Sequence, residues 1–344
     1  MVVIDGSAGE GGGQVLRTSL ALSLLTGMPF RIENVRAGRK NPGLAAQHLA
    51  SVLAAVAVGG GRVVGAEKGS TCVTFRPGRV CPGHYRFAVG TAGAASLVLQ
   101  TVALPLALAG GASSIAVSGG THVPWSPSAH YLERQWAPAL ARLGVVVGVR
   151  LVRVGFYPRG GGEMEARLQP TGTVSPLRGV VRGKLLRISG LSAVAGLDPA
   201  IAVRQARRAR ERLGEMGVPA EVEVVRWEAP SPGTFLFLEA HCEGGCWCAG
   251  SLGERGKAAE AVADEAADEL GELLRTGADV DRHMADQLLL PLALARGASE
   301  LSTARVTRHL TTNAEVIRRF LPRVRIEVEG PEGSPGRVRV DPGG

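Results

Sequence analysis

The residues best suited to chemistry begin in a glycine-rich N-terminal segment, residues 5–17, which reads Asp-Gly-Ser-Ala-Gly-Glu-Gly-Gly-Gly-Gln-Val-Leu-Arg. Glu10 is a carboxylate that can bind a divalent metal, and Arg17 can hold a phosphate with two parallel hydrogen bonds. The glycines let the backbone wrap around a bound group, and a helix beginning here would add free N–H groups that favour an anion. The segment lacks both the Lys-Ser/Thr ending of a P-loop and a following ribose-binding acid. It therefore predicts an anion site outside the two common nucleotide folds.

A second polar cluster follows in residues 36–43, which read Arg-Ala-Gly-Arg-Lys-Asn-Pro-Gly, with Gln47 and His48 just beyond. Three cations within five residues, beside two glycines, can clamp an anion. A basic surface loop explains the same residues equally well, and the sequence does not separate the two.

A third cluster lies near the C-terminus, where residues 283–287 read His-Met-Ala-Asp-Gln and residues 307–313 read Thr-Arg-His-Leu-Thr-Thr-Asn. A lone histidine usually has a structural role. His309, however, lies where a loop enters a helix, and Thr311 or Thr312 can cap that helix. This placement leaves the imidazole free to meet a ligand.

Residues 155–162 read Gly-Phe-Tyr-Pro-Arg-Gly-Gly-Gly. Three consecutive glycines are kept where the backbone needs a positive φ or a missing Cβ. A hairpin corner is favoured over a ligand-binding loop on physical grounds, and both remain open.

The elements that must position these clusters form an internal repeat. Each copy has a leucine-rich helix, a second helix and a β-rich stretch. The first helices are predicted at 16–27, 97–111 and 288–297, the second at 44–58, 128–143 and 311–321, and the β-rich stretches at 62–75, 145–168 and 324–340.

An insertion of about 100 residues separates the second and third copies, since their spacing exceeds that of the first two. We predict a small α+β sandwich at residues 183–277 and a large three-repeat catalytic domain at 1–182 and 278–344. One predicted helix of the insert is rich in arginine, and a solvated face is favoured over an RNA contact there. Its arginines are Arg204, Arg207, Arg208, Arg210 and Arg212.

Composition limits the class of partner. The 344 residues carry 39 Lys+Arg against 31 Asp+Glu, a net charge of +8, which favours a polyanion such as nucleic acid or a nucleotide. Aromatic residues make up only 4%, which argues against an RNA module built on stacked aromatics. No apolar run approaches the roughly 20 residues of a membrane span, and the N-terminus has no signal-peptide pattern. We predict a cytoplasmic protein with no membrane contact.

Three cysteines, Cys242, Cys246 and Cys248, lie close to His241. Their spacing matches no common zinc pattern. A local disulfide or reduced thiols in a strand pair are therefore favoured over zinc.

Together the motifs resemble those of the RNA 3′-terminal phosphate cyclase family, in order and from end to end. The family pattern Gly-x-x-Pro-x-Gly-Gly-Gly is met by residues 155–162, with Val154 where a basic residue is usual and Met164 where an aliphatic one is usual. The resemblance implies an α/β (α+β) fold. It consists of three repeats of two helices and a four-stranded sheet, plus a small inserted α+β sandwich domain.

The resemblance also implies roles for the polar clusters. His309 corresponds to the histidine that attacks the α-phosphate of ATP and carries AMP, and Glu10 to a carboxylate near the triphosphate and a metal, Mg²⁺ or Mn²⁺. The other implied site residues are the catalytic Arg17, Arg36 and Arg39, the ATP-contacting Gln100, Pro127, His283, Met284, Ala285, Asp286 and Gln287, and the substrate-binding Gln47 and His48.

The implied reaction moves AMP from ATP to His309 with release of pyrophosphate, and then to the 3′-phosphate of an RNA. The adjacent 2′-hydroxyl displaces AMP and leaves a 2′,3′-cyclic phosphate. The implied partners are ATP and an RNA with a 3′-phosphate end; the oligomeric state is open, with a homodimer as one option.

Two alternatives remain. A catalytically inactive relative, acting as an RNA-binding factor in ribosome assembly, would keep the fold but lack the histidine. A transferase moving a carbon unit onto a small phosphorylated substrate would use related repeats without adenylation.

Overall fold

The computed structural model describes residues 1–343, and its first unit packs two helices on a four-stranded sheet. The elements are β1 (Val2–Asp5), α1 (Gly13–Thr26), β2 (Phe30–Glu33), α2 (Ala46–Gly59), β3 (Arg62–Val64) and β4 (Val73–Arg76). The sheet order is β1-β2-β4-β3, and only β1 and β2 run parallel. Leu16, Leu20 and Leu22 are fully buried, so α1 lies inside the molecule, as expected for a helix that is apolar on most sides.

The second unit repeats this topology. Its elements are β5 (His84–Ala88), α3 (Ala95–Ala107), β6 (Ser113–Gly119), α4 (Ala129–Tyr131), a π-helical segment (Leu132–Trp136), α5 (Ala137–Arg142), β7 (Val147–Arg153) and β8 (Gly162–Leu168). The order is β5-β6-β8-β7, and again only the first two strands are parallel. The glycine-rich segment 155–162 is the turn between β7 and β8, with a cis peptide between Tyr157 and Pro158 and positive φ at Gly160 and Gly161. The hairpin-corner interpretation is therefore confirmed.

A separate sheet with two helices follows. Its elements are β9 (Leu185–Ala195), α6 (Ala200–Glu215), β10 (Ala220–Arg226), β11 (Gly233–Cys242), β12 (Gly245–Leu252) and α7 (Ala259–Thr276). The strands lie in the order β10-β9-β11-β12, and Leu236, Leu238 and Ala240 pack with buried residues of α6 and α7. These elements form a two-layer α+β sandwich. The sequence of β12, Gly-Cys-Trp-Cys-Ala-Gly-Ser-Leu, contains no β-branched residue, and only the expected strand pair at the cysteines indicated it.

The arginines of α6 pair with the carboxylates of α7. Arg204 lies 2.6 Å from Glu260, and Arg208 lies 2.8 Å from Asp264, which Arg212 also contacts at 2.9 Å. Exposed pairs of this kind contribute at most about 1 kcal/mol each. Three of the five arginines, Arg204, Arg208 and Arg212, are thus paired with acidic residues of the neighbouring helix.

The third unit has three strands where four were predicted. Its elements are α8 (Met284–Ala293), β13 (Ser299–Thr303), α9 (Arg308–Phe320), β14 (Arg325–Glu329) and β15 (Gly336–Asp341), in the sheet order β13-β15-β14. In place of the parallel pairing that β1 makes with β2 in the first unit, β13 has two isolated parallel bridges, from Arg178 to Glu300 and from Val280 to Thr303. Because the chain leaves for the inserted sheet between residues 178 and 280, no continuous fourth strand forms.

The α/β class is confirmed, but the order within a unit differs from the prediction. The units read strand, helix, strand, helix, strand, strand, whereas the sequence indicated two helices followed by strands. The missed strands β1 and β2 have four residues each and flank a strongly apolar helix, so their period-2 signal is short.

Aromatic and amide contacts join the units. Phe30 of β2 packs against Phe320 of α9 with ring centroids 6.0 Å apart, and Gln100 of α3 donates to Gln287 of α8 at 2.6 Å. Every helix within residues 1–343 is too short or too polar to cross a bilayer. The packing brings the N-terminal ends of α1, α8 and α9 together.

Candidate active site

His309 lies in the first turn of α9, and its helix is capped by Thr307, whose Oγ1 accepts from the N–H of Leu310 at 3.2 Å. The predicted caps, Thr311 and Thr312, are wrong: Thr312 Oγ1 instead accepts from the N–H of Glu10 at 3.0 Å. The His309 side chain is 53% exposed. It is accessible to a ligand while its backbone is fixed.

A hydrogen bond defines which nitrogen of His309 is free. Nδ1 lies 2.7 Å from Oε1 of Gln14, in the first turn of α1. An amide oxygen only accepts, so Nδ1 carries the proton and Nε2 carries the lone pair. Sequence reasoning did not single out Gln14, although its place at the end of the glycine-rich segment was a usable signal.

Gln14 is itself held by α8. Its Nε2 donates to Oδ2 of Asp286 at 2.5 Å, and Asn313 of α9 donates to the backbone oxygen of Asp286 at 2.7 Å. Thr18 of α1 donates to Asn313 at 2.7 Å. These bonds lock the first turns of α1, α8 and α9 into one polar network around His309.

Glu10 is buried beside His309. Its side chain is 6% exposed, and Oε2 lies 2.6 Å from Nη2 of Arg39. Oε1 lies 3.9 Å from Nδ1 of His309 and has no hydrogen-bond partner among residues 1–343. A buried carboxylate oxygen without a partner is costly, and a hard divalent cation such as Mg²⁺ or Mn²⁺ is a suitable partner for it. The free oxygen Oε1 of Glu10 is therefore compatible with binding a metal ion.

Glycines make room for these groups. A Cβ on Gly13 would lie 2.0 Å from Nε2 of His48, and one on Gly12 would lie 2.4 Å from Oε2 of Glu10. His48 is 4% exposed, and its Nδ1 accepts from the N–H of Ala45 at 3.3 Å. Burial, together with the nearby arginines, lowers the pKa of His48 to about 3, so this imidazole is neutral and forms part of the cleft wall.

Burial shifts the pKa values of three ionisable groups in the cleft. Burial lowers the pKa of His309 below its ordinary value; Glu10 opposes this shift and Arg17 adds to it. Burial lowers the pKa of Arg17 to about 10, against the pull of Glu10 and Asp286. Burial raises the pKa of Asp286 to about 7. At neutral pH the imidazole is therefore uncharged and the guanidinium remains a cation.

Two other predicted site residues, Arg36 and Gln47, make hydrogen bonds to backbone groups of nearby segments. Arg36 donates to the backbone oxygens of Asn41 and Gly43 at 2.9 and 2.7 Å, which ties it to its own loop. Gln47 accepts from the N–H of Ala94 at 2.9 Å, joining α2 to the start of α3. Their predicted roles remain predictions.

The predicted ATP-contacting residues fall into two groups. Met284 and Ala285 have fully buried side chains, so they shape the core below the cleft. The other five residues are at least partly exposed; they are Gln100, Pro127, His283, Asp286 and Gln287. His283 lies 3.3 Å from Glu269, and Gln100 donates a hydrogen bond to Gln287.

Three helix N-termini, two arginines and an uncharged imidazole meet in one cleft. Helix N-termini and arginines bind phosphate, and a neutral imidazole can attack phosphorus. The arrangement is that of an α/β protein whose cleft is chemically suited to a phosphorylated group and to covalent transfer.

The family model for "RNA 3'-terminal phosphate cyclase" matches residues 8–328. The chain is 45% identical over 333 residues to the RNA 3′-terminal phosphate cyclase of Pyrobaculum neutrophilum, covering 96% of each chain. It is 46% identical over 345 residues to that of Thermococcus onnurineus (99% of each) and 47% identical over 350 residues to that of Methylococcus capsulatus (98% of this chain, 95% of the relative). The chain belongs to the RNA 3′-terminal phosphate cyclase family, and it is an enzyme.

A solved structure of the enolpyruvyl transferase NikO from Streptomyces tendae aligns with 99% of this chain and 48% of its own, at 11% identity and a TM-score of 0.37. This likeness is too low to support the carbon-unit transferase alternative.

Proposed function

We propose that the enzyme uses ATP to convert an RNA 3′-terminal phosphate into a 2′,3′-cyclic phosphate, through a covalent AMP on His309. The observation that carries this proposal is the hydrogen bond from Nδ1 of His309 to Gln14, which leaves Nε2 as a nucleophile beside Arg17, Arg39 and Glu10. Membership of the cyclase family supports the overall reaction.

In the first step Nε2 of His309 attacks the α-phosphorus of ATP, a P–N bond forms, and the bond to pyrophosphate breaks. The imidazole becomes positive in this step, and the amide oxygen of Gln14 stabilises the proton on Nδ1. Arg17 and Arg39 offset the negative charge on the phosphates. A metal bound at Glu10 would supply further charge neutralisation for the triphosphate.

In the second step an oxygen of the RNA 3′-phosphate attacks the same phosphorus and releases neutral His309. The 2′-hydroxyl oxygen then attacks the 3′-phosphorus and loses its proton to solvent, the bond from that phosphorus to the AMP phosphate breaks, and AMP leaves. Dividing one difficult transfer into steps with a good leaving group is the usual benefit of covalent catalysis.

The direct test follows AMP release from ATP with three oligonucleotides. RNA with a 3′-phosphate should give AMP and an end that resists phosphatase, whereas RNA with a 3′-hydroxyl should give neither. DNA with a 3′-phosphate lacks the 2′-hydroxyl, so it should accept AMP and stall as the adenylate. If no AMP appears with 3′-phosphorylated RNA, the proposal is wrong.

The inactive, RNA-binding alternative is not favoured, because the chain carries His309 and because the curated relatives reported above are named cyclases. RNA binding without ATP turnover in the same assay would support it. A cytoplasmic location and a homodimer stay predictions.

Gln14 is expected to act as a positioning residue for His309. Gln14→Leu removes the acceptor for Nδ1–H, and we expect the rate of AMP transfer to fall about 10–100-fold, since a lost buried hydrogen bond costs about 1–3 kcal/mol. Gln14→Glu places a carboxylate beside the imidazole, which raises the pKa of His309. The neutral imidazole is the reactive form, so the acidic limb of the pH–rate profile should move to higher pH.

Both variants are compared with Gln169→Leu, which changes an exposed glutamine after β8 and should leave rate and profile unchanged. A wild-type pH profile in Gln14→Glu would show that this contact does not act on the nucleophile.

A further inference from the structure

The hairpin of β11 and β12 places three metal-binding side chains on one face of the inserted sheet. Glu239 lies opposite Cys248 in the register, and Cys246 is two residues from Cys248 on the same strand. Side chains two residues apart on a strand, and those directly across a ladder, point to the same face. One donor atom from each of the three lies within 4.8 Å of the others.

The spacing of these atoms matches a tetrahedral ion. Two thiolates on Zn²⁺, with bonds of about 2.3 Å, lie about 3.8 Å apart, and a thiolate and a carboxylate oxygen lie about 3.6 Å apart. Here Sγ of Cys246 and Sγ of Cys248 are 3.7 Å apart, and Sγ of Cys246 lies 4.0 Å from Oε1 of Glu239. Both separations are close to those on such an ion, and the three donor atoms, all within 4.8 Å of one another, would form one face of the coordination tetrahedron.

The surroundings of Glu239 favour a cation. Its side chain is only 16% exposed, and the Arg134 guanidinium, 3.8 Å away, is beyond hydrogen-bonding distance. The side-chain hydrogen bond that this carboxylate does accept, from the Cys246 thiol, is long at 4.0 Å, and a bound cation would replace it with a stronger contact. With a divalent ion, two thiolates and this carboxylate, the cluster would carry one negative charge, which Arg134 offsets.

The neighbouring candidates do not join the cluster. Nε2 of His241 lies 2.7 Å from Oγ of Ser189, and Cys242 packs with Trp247 in a separate apolar cluster. All three cysteines have free thiols, so the disulfide alternative is not supported. Cys246 is partly exposed, which leaves the fourth position open to water.

We propose that Glu239, Cys246 and Cys248 bind one thiophilic divalent ion, with Zn²⁺ as the best fit. Binding releases the two thiol protons to solvent and requires no redox step. The N–H of Cys248 donates to Oε1 of Gln135 in the π-helical segment, so the ion fixes the hairpin where the inserted sheet meets the second unit.

The test uses Co²⁺ as a spectroscopic probe of the reduced, metal-free full chain. We expect thiolate-to-cobalt charge-transfer absorption that saturates at one ion per chain and is abolished by Zn²⁺. Cys246→Ser and Cys248→Ser should each lose this absorption, and Glu239→Gln should bind at least about tenfold more weakly. Cys81→Ser, which changes an exposed cysteine outside the cluster, is the matched control and should behave as wild type.

The titration of the wild-type chain involves no substitution, so its result does not depend on whether a variant folds. Folded wild-type chain, checked by circular dichroism, that shows no charge-transfer band would overturn it. So would a band of wild-type intensity in Cys246→Ser.

Discussion

The His309→Ala variant is expected to take no AMP from ATP. The wild-type chain, incubated with α-labelled ATP and Mg²⁺ or Mn²⁺, should retain label on the protein after denaturation, and His309→Ala should retain none. Loss of a covalent nucleophile removes the reaction path itself, and turnover should fall by more than about 10⁴-fold. The side chain is half exposed at a capped helix start, so its truncation should cost little stability.

The matched control is His84→Ala. His84 is an exposed histidine of β5 whose ring lies 2.7 Å from Oγ of Ser114, outside the cleft. It should label as wild type does. Equal labelling of His309→Ala and wild type would show that another residue carries the AMP.

The Glu10→Ala variant is expected to slow AMP transfer about 10²–10³-fold, the usual cost of removing one electrostatic contact to a transferring group. Glu10 contributes the unpartnered oxygen Oε1 and holds Arg39 through Oε2. Its removal should therefore raise the metal concentration needed for half-maximal rate. Labelling rates measured over a series of Mg²⁺ or Mn²⁺ concentrations report both effects.

Two further variants separate charge from shape. Glu10→Gln keeps the size of the side chain but loses its charge, and it should show most of the defect if metal binding is the cause. Glu33→Ala removes a carboxylate of β2 that is 47% exposed and pairs with Arg31, and it should be neutral. Unchanged metal dependence in Glu10→Ala would argue that Glu10 only positions Arg39.

The sequence was sufficient to locate the helices that build the cleft, but the predicted starts of α1, α3, α8 and α9 fall two to four residues inside the observed helices. Apolar runs with terminal glycines marked α1 and α3, and polar residues at the helix starts marked His309 and Glu10. The short strands β1 and β2 were missed because four residues carry little periodicity. The broken fourth strand of the third unit could not be seen either, since its two bridging residues, Arg178 and Val280, are about 100 residues apart.

The candidate site, like the fold, was predicted only in part from the sequence. The motifs identified His309, Glu10 and Arg39, which the structure brings together. They did not reveal that Gln14 fixes the imidazole, because that bond spans 295 residues. Nor did they reveal Glu239 beside Cys246 and Cys248, since the cysteine spacing does not give the register of the hairpin that aligns them.

The bond between Gln14 and His309 also bears on when activity can arise. The cleft is built from the first 50 residues and from residues beyond 280, so its two halves are made at opposite ends of synthesis. Units that are synthesised early can fold while the ribosome is still elongating the chain. Helix α9 is synthesised much later than α1, and its packing against α1 closes a loop of almost 300 residues, about the sequence separation of Gln14 and His309. Until α9 has docked, His309 is not beside Gln14 and Glu10, so the candidate site is complete only when the packing of α9 on α1 is.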